Sequence, residues 1–279
     1  MANSAHPADH RFHETPLVLF STLGIAGAGI GAATLVRAFL SSSLPVVSRS
    51  EALLLSLLLG VGTLISAGHL GRPLRGPLAL RRLGKSPLSN EILAVGIALL
   101  GAGLCVGLPA DFALRWIASV LACLGSLGFL LALGAVYDIP GQLAWRGSAV
   151  FQPLALATAW GLLLGFDRSF SPEVAGGVSV FLVVLLLDGV LVVGRNALTN
   201  RGRRLGVPVH PGVFRWRGIL LATRLVSSGV AAALTILGDL DGAALLALSL
   251  ALLVDRFGFY GLAIRWTSES EVARVEALL

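Results

Sequence analysis

EALLLSLLLGVGTLISAGHL (51–70), GRPLRGPLALRRLGKSPLS (71–89) and NEILAVGIALLGAGLCVGLP (90–109) follow one another directly, and their alternation decides the fold. Two apolar runs flank a link that carries Arg72, Arg75, Arg81, Arg82 and Lys85. A helix rises about 1.5 Å per residue, so roughly 20 apolar residues cross a hydrocarbon core of about 30 Å. The stretch reads as two membrane helices joined by a cationic loop at one face. His69 closes the first run and Glu91 opens the second, so both titratable groups lie at that face.

The rest of the chain repeats the pattern. It is 56% hydrophobic and 13% charged over 279 residues, with a mean hydropathy of +0.86. Soluble domains carry about 25% charged residues, so the composition is that of an integral membrane protein. Eight apolar spans are predicted, at 16–39, 51–70, 90–109, 113–137, 149–167, 173–195, 216–237 and 242–265. Only helices satisfy every backbone group within such runs, and the alternating ten-residue segments of a barrel are missing. The expectation is an all-α polytopic domain over 1–279, with four-plus-four spans permitting two four-helix bundles. Asn196–Arg215 reads as an irregular basic loop. Met1–Phe12 has neither a cleavable apolar segment nor a twin arginine, so the first span is expected to direct insertion. Gly27 and Gly31 form a small-residue step suited to close helix packing. Cys105 and Cys123 fall within spans, where cysteine behaves as a small apolar filler, and two are too few for an iron–sulfur site.

Eight spans put both termini on one face, here face A, with the loops 71–89, 138–148 and 196–215. Face A holds fifteen of the twenty-one basic residues. Basic residues near span ends accumulate on the cytoplasmic side, so face A is expected to be cytoplasmic. The same charge suits an acidic soluble subunit or lipid headgroups. Nothing in it implies nucleic acid.

Four ionisable residues lie deeper. Counted from face A, Asp188 is about 10 Å inside, Arg224 about 12 Å, and Asp255 and Arg256 about 14 Å. Unpaired charge at such depth is costly, so these side chains should face the bundle interior and pair, Arg224 with Asp188 or Asp255. Two readings stay open for them: a structural ion pair that fixes helix order, or a role in a proton or quinone pocket. A secondary transporter is the reading from another class, but transporter sites lie near the midplane, and these groups crowd toward one face. His69 taken singly is a wet interfacial histidine. Glu91 taken singly is a carboxylate near a helix N-terminus, with Ser86, Ser89 or Asn90 as caps and Pro87 in the first turn. Together, across one hairpin, they have the chemistry to exchange protons between a hydrophobic carrier and water.

Several motifs resemble those of a known family. They are His13-Glu14-x-Pro16-Leu17-x-x-Phe20, His69-Leu70-Gly71-x-Pro73-x-Arg75, Leu88-Ser89-Asn90-Glu91, Val136-Tyr137 with Pro140, Trp145 and Pro153, and Arg256-x-x-Phe259-Tyr260-Gly261. Over nearly its whole length the chain resembles the membrane anchor subunit of dimethyl sulfoxide reductase, within the wider group of polysulfide-reductase and nitrite-reductase membrane subunits. The resemblance implies a multi-pass protein of the bacterial inner membrane, without haem or metal of its own. It implies two partners, a four-cluster iron–sulfur subunit and a molybdopterin catalytic subunit. It also implies a site for menaquinone or ubiquinone, with His69 and Glu91 as its main groups and Arg72, Arg75, Tyr137 and Arg256 as further ones. The basic loops depart from an outward-facing catalytic arm, and anchors of this kind also serve cytoplasm-facing, sulfite-oxidising complexes that reduce quinone. A haem-bearing anchor would need paired axial ligands, and His69 is the lone histidine within an expected span.

Overall fold

A computed structural model describes residues 15–68, 76–137, 151–164, 172–204, 211–237 and 241–261. All regular structure in them is helical. The helices are α1 (Thr15–Leu40), α2 (Arg49–Gly68), the short α3 (Gly76–Ala79), α4 (Pro87–Gly107), α5 (Arg115–Tyr137), α6 (Phe151–Leu164), α7 (Pro172–Arg204), α8 (Pro211–Leu237) and α9 (Asp241–Gly261). A 3-10 turn, Leu80–Arg82, follows α3. Among the described residues seven helices are long and apolar enough to cross a membrane, so the chain is a multi-pass membrane protein. α6 is shorter, with 14 residues, and the ends of its expected span, 149–150 and 165–167, lie outside the described residues. The expected loop 196–215 is corrected at both ends: Asn196–Arg204 continues α7 and Pro211–Arg215 begins α8, because basic residues are good helix formers and proline is tolerated in a first turn.

Two sets of contacts organise the helices. α1, α2, α4 and α5 pack around one another, α6 to α9 do the same, and α1 lies at the seam against α6 and α9. The small residues of α1 make this central place feasible. A methyl group on Gly29 would overlap the Ala157 carbonyl of α6, and one on Gly161 would overlap the Gly29 carbonyl in return. Backbones therefore touch at this crossing, which is how helices gain packing where lipid supplies no hydrophobic drive.

One end of the bundle is closed by polar ties between helix termini. Arg37 at the end of α1 pairs with Glu51 at the start of α2. Arg49 Nε donates to the Val106 carbonyl of α4 at 2.9 Å, and Ser119 Oγ of α5 accepts from Val47 N at 3.1 Å. Arg37 and Arg49 are among the few basic residues that the sequence leaves outside face A. Of the described buried ionisable groups, Glu91, Arg195, Asp255 and Arg256 lie toward the opposite ends of their helices, whereas Asp188 and Arg224 stand at the midpoints of α7 and α8, deeper than expected because both helices run on past their apolar spans.

Candidate functional site

The site is built at the face-A ends of α1, α4, α5, α6 and α9 and extends to the middles of α7 and α8. The entry to α4 is fixed locally. Ser86 is extended, Pro87 takes the first helical turn where its missing N–H costs nothing, and Gly84 adopts a positive φ of 73° in the preceding turn. Asn90 Oδ1 accepts from Gly84 N at 2.9 Å, and Ser89 Oγ donates to the Ala79 carbonyl at 2.7 Å. Ser86 caps by backbone conformation alone. The two polar side chains expected as caps instead clamp the basic connection onto α4.

Glu91 follows one residue later, past the first turn of the helix. This corrects its reading as a helix-terminal carboxylate, because dipole stabilisation fades within the first turn. The residue is only 5% exposed, and its side chain has neither a hydrogen bond nor an ion pair with any described residue. Within its electrostatic reach lie Tyr137 at the end of α5 and Tyr260 on α9.

Those tyrosines belong to an aromatic cluster. Tyr137 meets Phe259 and Tyr260 edge-on, each with ring centroids 5.4 Å apart. The Arg256 guanidinium stands over the Phe259 ring, 4.6 Å from its centroid, within cation–π range. The Tyr260 hydroxyl is buried beside Tyr137 and Ser21 of α1 without reaching hydrogen-bond geometry with either. Glu91 and Tyr260 thus leave an acceptor and a donor unused in one neighbourhood.

Behind the rings lies a buried ionic network. Asp255 is 2% exposed and accepts from Arg195 Nη2 at 2.8 Å and from Arg256 Nε at 3.0 Å, with a further bond from Gln152 Nε2. Arg195 Nη1 donates to Gln152 Oε1 at 2.6 Å. Arg224 pairs with Asp188, bonds Ser228, and has its Nε 3.9 Å from Asp255 Oδ1. Every member is enclosed, as charges at membrane depth must be.

The structure brings Glu91, Tyr137 and Arg256 to one end of the bundle, and it joins Asp188, Arg224 and Asp255 in a single network. His69, Arg72 and Arg75 lie outside the described residues, as do His13, Glu14, Pro140 and Trp145. Sequence reasoning misses two members. Arg195 counts there as a face-A loop charge because the expected span ends at it, and the continuation of α7 to Arg204 puts it inside. Gln152 does carry a signal, an amide at the head of an otherwise apolar run.

Fold and site together define a multi-pass membrane protein with a buried ionic network between its helices. Residues 9–194 match the sequence profile of the DMSO reductase anchor subunit (DmsC) family, and the protein belongs to that family. It is 29% identical over 234 residues to YnfH, an anaerobic dimethyl sulfoxide reductase subunit of Escherichia coli (strain K12), covering 77% of this protein and 81% of that one. It is 27% identical over 239 residues to the C subunit of anaerobic dimethyl sulfoxide reductase from the same organism, covering 77% of this protein and 82% of the relative. The C subunit of the Haemophilus influenzae enzyme is 31% identical over 148 residues, 49% of this protein and 51% of that relative.

Proposed function

We propose that this protein is the quinone-interacting membrane anchor of a DMSO reductase-type complex, passing electrons between the membrane quinol pool and an iron–sulfur subunit that serves a molybdopterin catalytic subunit. Family membership supports the anchor role. The quinone site is the face-A end of α4, α5 and α9, with His69, Arg72 and Arg75 contributing from the connection between α2 and α4. The observation that carries this reading is Glu91, a buried carboxylate without a hydrogen bond or ion pair among the described residues, within electrostatic reach of Tyr260, whose hydroxyl is also unused. Buried polar groups are almost always satisfied in a finished interior. One such exception, the Tyr260 hydroxyl, beside a carboxylate without a described partner, fits a ring that bears oxygens at both ends.

The bound menaquinol or ubiquinol would supply two electrons and two protons. Glu91 accepts a proton from a ring oxygen and releases it toward water at face A, where His69 offers a second acceptor near neutral pH. Tyr260 orients the headgroup through its hydroxyl, and Arg256 is held in place by Asp255 and Phe259. The aromatic wall excludes water, which strengthens each polar contact in the pocket. The basic residues of face A orient that face to the cytoplasm of a bacterial cell and suit an acidic docking partner. With all proton groups on the face where electrons leave, turnover moves no net charge across the membrane.

Replacing Glu91 with glutamine preserves shape and removes the proton acceptor. Quinol-linked turnover of the assembled complex should fall at least about tenfold, since positioned acid–base groups contribute roughly 10²–10⁴ in rate. Turnover with an artificial electron donor that bypasses the membrane subunit should persist. Unchanged quinol-linked turnover in Glu91→Gln and Tyr260→Phe together would refute the site.

A further inference from the structure

Phe259 of α9 joins the aromatic cluster to the ionic network. It is buried and carries no polar side-chain atom. The guanidinium carbon of Arg256 stands 4.6 Å from its ring centroid, and that of Arg195 stands 5.8 Å from it. Both cations are thus within cation–π range of one ring. The Tyr137 and Tyr260 centroids lie 5.4 and 5.3 Å away, with the ring planes crossing that of Phe259 at 89° and 84°. The two tyrosine rings cross each other at 82°. The three rings are therefore mutually edge-on, an arrangement that aromatic quadrupoles favour.

The cations against Phe259 are themselves fixed. Asp255 accepts from Arg195 Nη2 at 2.8 Å and from Arg256 Nε at 3.0 Å. Gln152 of α6 accepts from Arg195 Nη1 at 2.6 Å, and the other end of its amide donates to Asp255. Neither guanidinium can leave the ring without giving up a buried, charge-assisted hydrogen bond, which is costly. The Phe259 ring is held in this way from α6, α7 and α9.

That hold accounts for the state of Tyr260. The residue is buried and its hydroxyl has no hydrogen-bond partner, although a buried tyrosine ordinarily turns toward one. The hydroxyl lies on the ring axis, so only a change of χ1 or a tilt of the whole ring displaces it. Either motion breaks the edge contacts with Phe259 and Tyr137, and Phe259 cannot follow because two cations hold it. The hydroxyl is kept clear of the protein and available to a ligand. We propose, resting on the quinone site described above, that Phe259 is a positioning residue. It holds the Tyr260 hydroxyl where a quinol ring oxygen binds, while Gln152, Arg195 and Arg256 fix Phe259 from behind.

The test is a double-mutant cycle in the assembled complex, reading kcat/KM for a short-chain menaquinol. Turnover with an artificial donor that bypasses the membrane subunit measures assembly. Tyr260→Phe should lower kcat/KM about fivefold, the worth of one neutral hydrogen bond. Phe259→Leu should lower it by a similar factor, because the released hydroxyl turns away. In a Tyr260→Phe background, Phe259→Leu should cost less than about twofold more, since no hydroxyl is left to misplace. A residue that only fills space would cost the same factor in both backgrounds. Additive losses would therefore overturn the positioning role and leave the quinone site standing. So would unchanged kcat/KM in Tyr260→Phe or in Phe259→Leu beside a loss in Glu91→Gln. Unchanged kcat/KM in both Glu91→Gln and Tyr260→Phe would remove the site, and the positioning role with it. If Phe259→Leu does not assemble, Phe259→Met, which keeps bulk on a flexible chain, carries the same cycle. Failure of both to assemble would make Phe259 a structural residue and overturn the role.

Discussion

Replacement of Asp255 by asparagine is expected to destabilise the protein more than any other single isosteric change in the buried network. The carboxylate holds Arg195 at 2.8 Å and Arg256 at 3.0 Å, accepts from Gln152, and lies 3.9 Å from Arg224 Nε. Asparagine keeps the shape and one acceptor oxygen but removes the charge. Arg224 would retain Asp188, whereas Arg195 and Arg256 would have no carboxylate left among their described partners. Removing one partner of a buried ion pair costs about 3–5 kcal/mol. The residual amide oxygen, and the freedom of Arg195 to extend toward face A, place the expected loss near the low end, about 3 kcal/mol. That corresponds to roughly a hundredfold in the folding equilibrium. Asp188→Asn should cost about half as much, because Arg224 keeps Ser228 and the more distant Asp255. The measurement is reversible unfolding in mixed micelles by increasing fractions of a denaturing detergent, followed by circular dichroism. Adding Arg195→Gln to Asp255→Asn should recover at least about 1 kcal/mol, since it removes one orphaned charge. An Asp255→Asn variant within about 0.5 kcal/mol of wild type, the range of neutral surface changes, would refute the reasoning, as would strict additivity in the double variant.

Two further perturbations address packing. Gly29→Val should abolish stable accumulation in the membrane, because its first side-chain atom already overlaps the Ala157 carbonyl, and a backbone atom cannot move aside like a flexible side chain. Gly60→Ala, where nothing lies within 4 Å, should be neutral or raise stability by up to about 1 kcal/mol through helix propensity; immunoblots of membrane fractions compare the two. Trp160→Phe removes the bond from Nε1 to Ser249 Oγ, 2.9 Å long and joining α6 to α9, and should cost about 0.6 kcal/mol in the same micelle assay, as interhelical bonds in membranes do. Ser249→Ala should cost about the same, and the pair together should cost no more than either alone.

The membrane class was legible because it rests on composition over long windows, and no tertiary contact can conceal a run of twenty apolar residues. Asp188, Arg224 and Asp255 were legible for a related reason: a charge at membrane depth is so costly that its presence announces a partner. Glu91 stood out by position, but its true setting did not. It lies past the first turn and buried without a hydrogen bond, and only the packing of α4 among its neighbours reveals that. Arg195 escapes a sequence reading because hydropathy marks where a span becomes polar, not where its helix stops, and α7 runs on to Arg204. Gln152 gave too little: one amide alters a hydropathy average hardly at all.

By itself the sequence determined that this protein lives in a bilayer as helices, and that the charges inside its spans need partners. Those are properties of transfer free energy, which each residue contributes wherever its neighbours lie. Which partner each buried charge takes, that Tyr137 meets Phe259 and Tyr260, and that Arg195 and Arg256 converge on the Phe259 ring were decided only by tertiary structure. These contacts join residues far apart in sequence, such as Gln152 and Asp255. Hydropathy fixes the depth of a side chain but not its direction around the helix, and direction is set by which backbones can approach closely, as α1 and α6 do at Gly29 and Gly161.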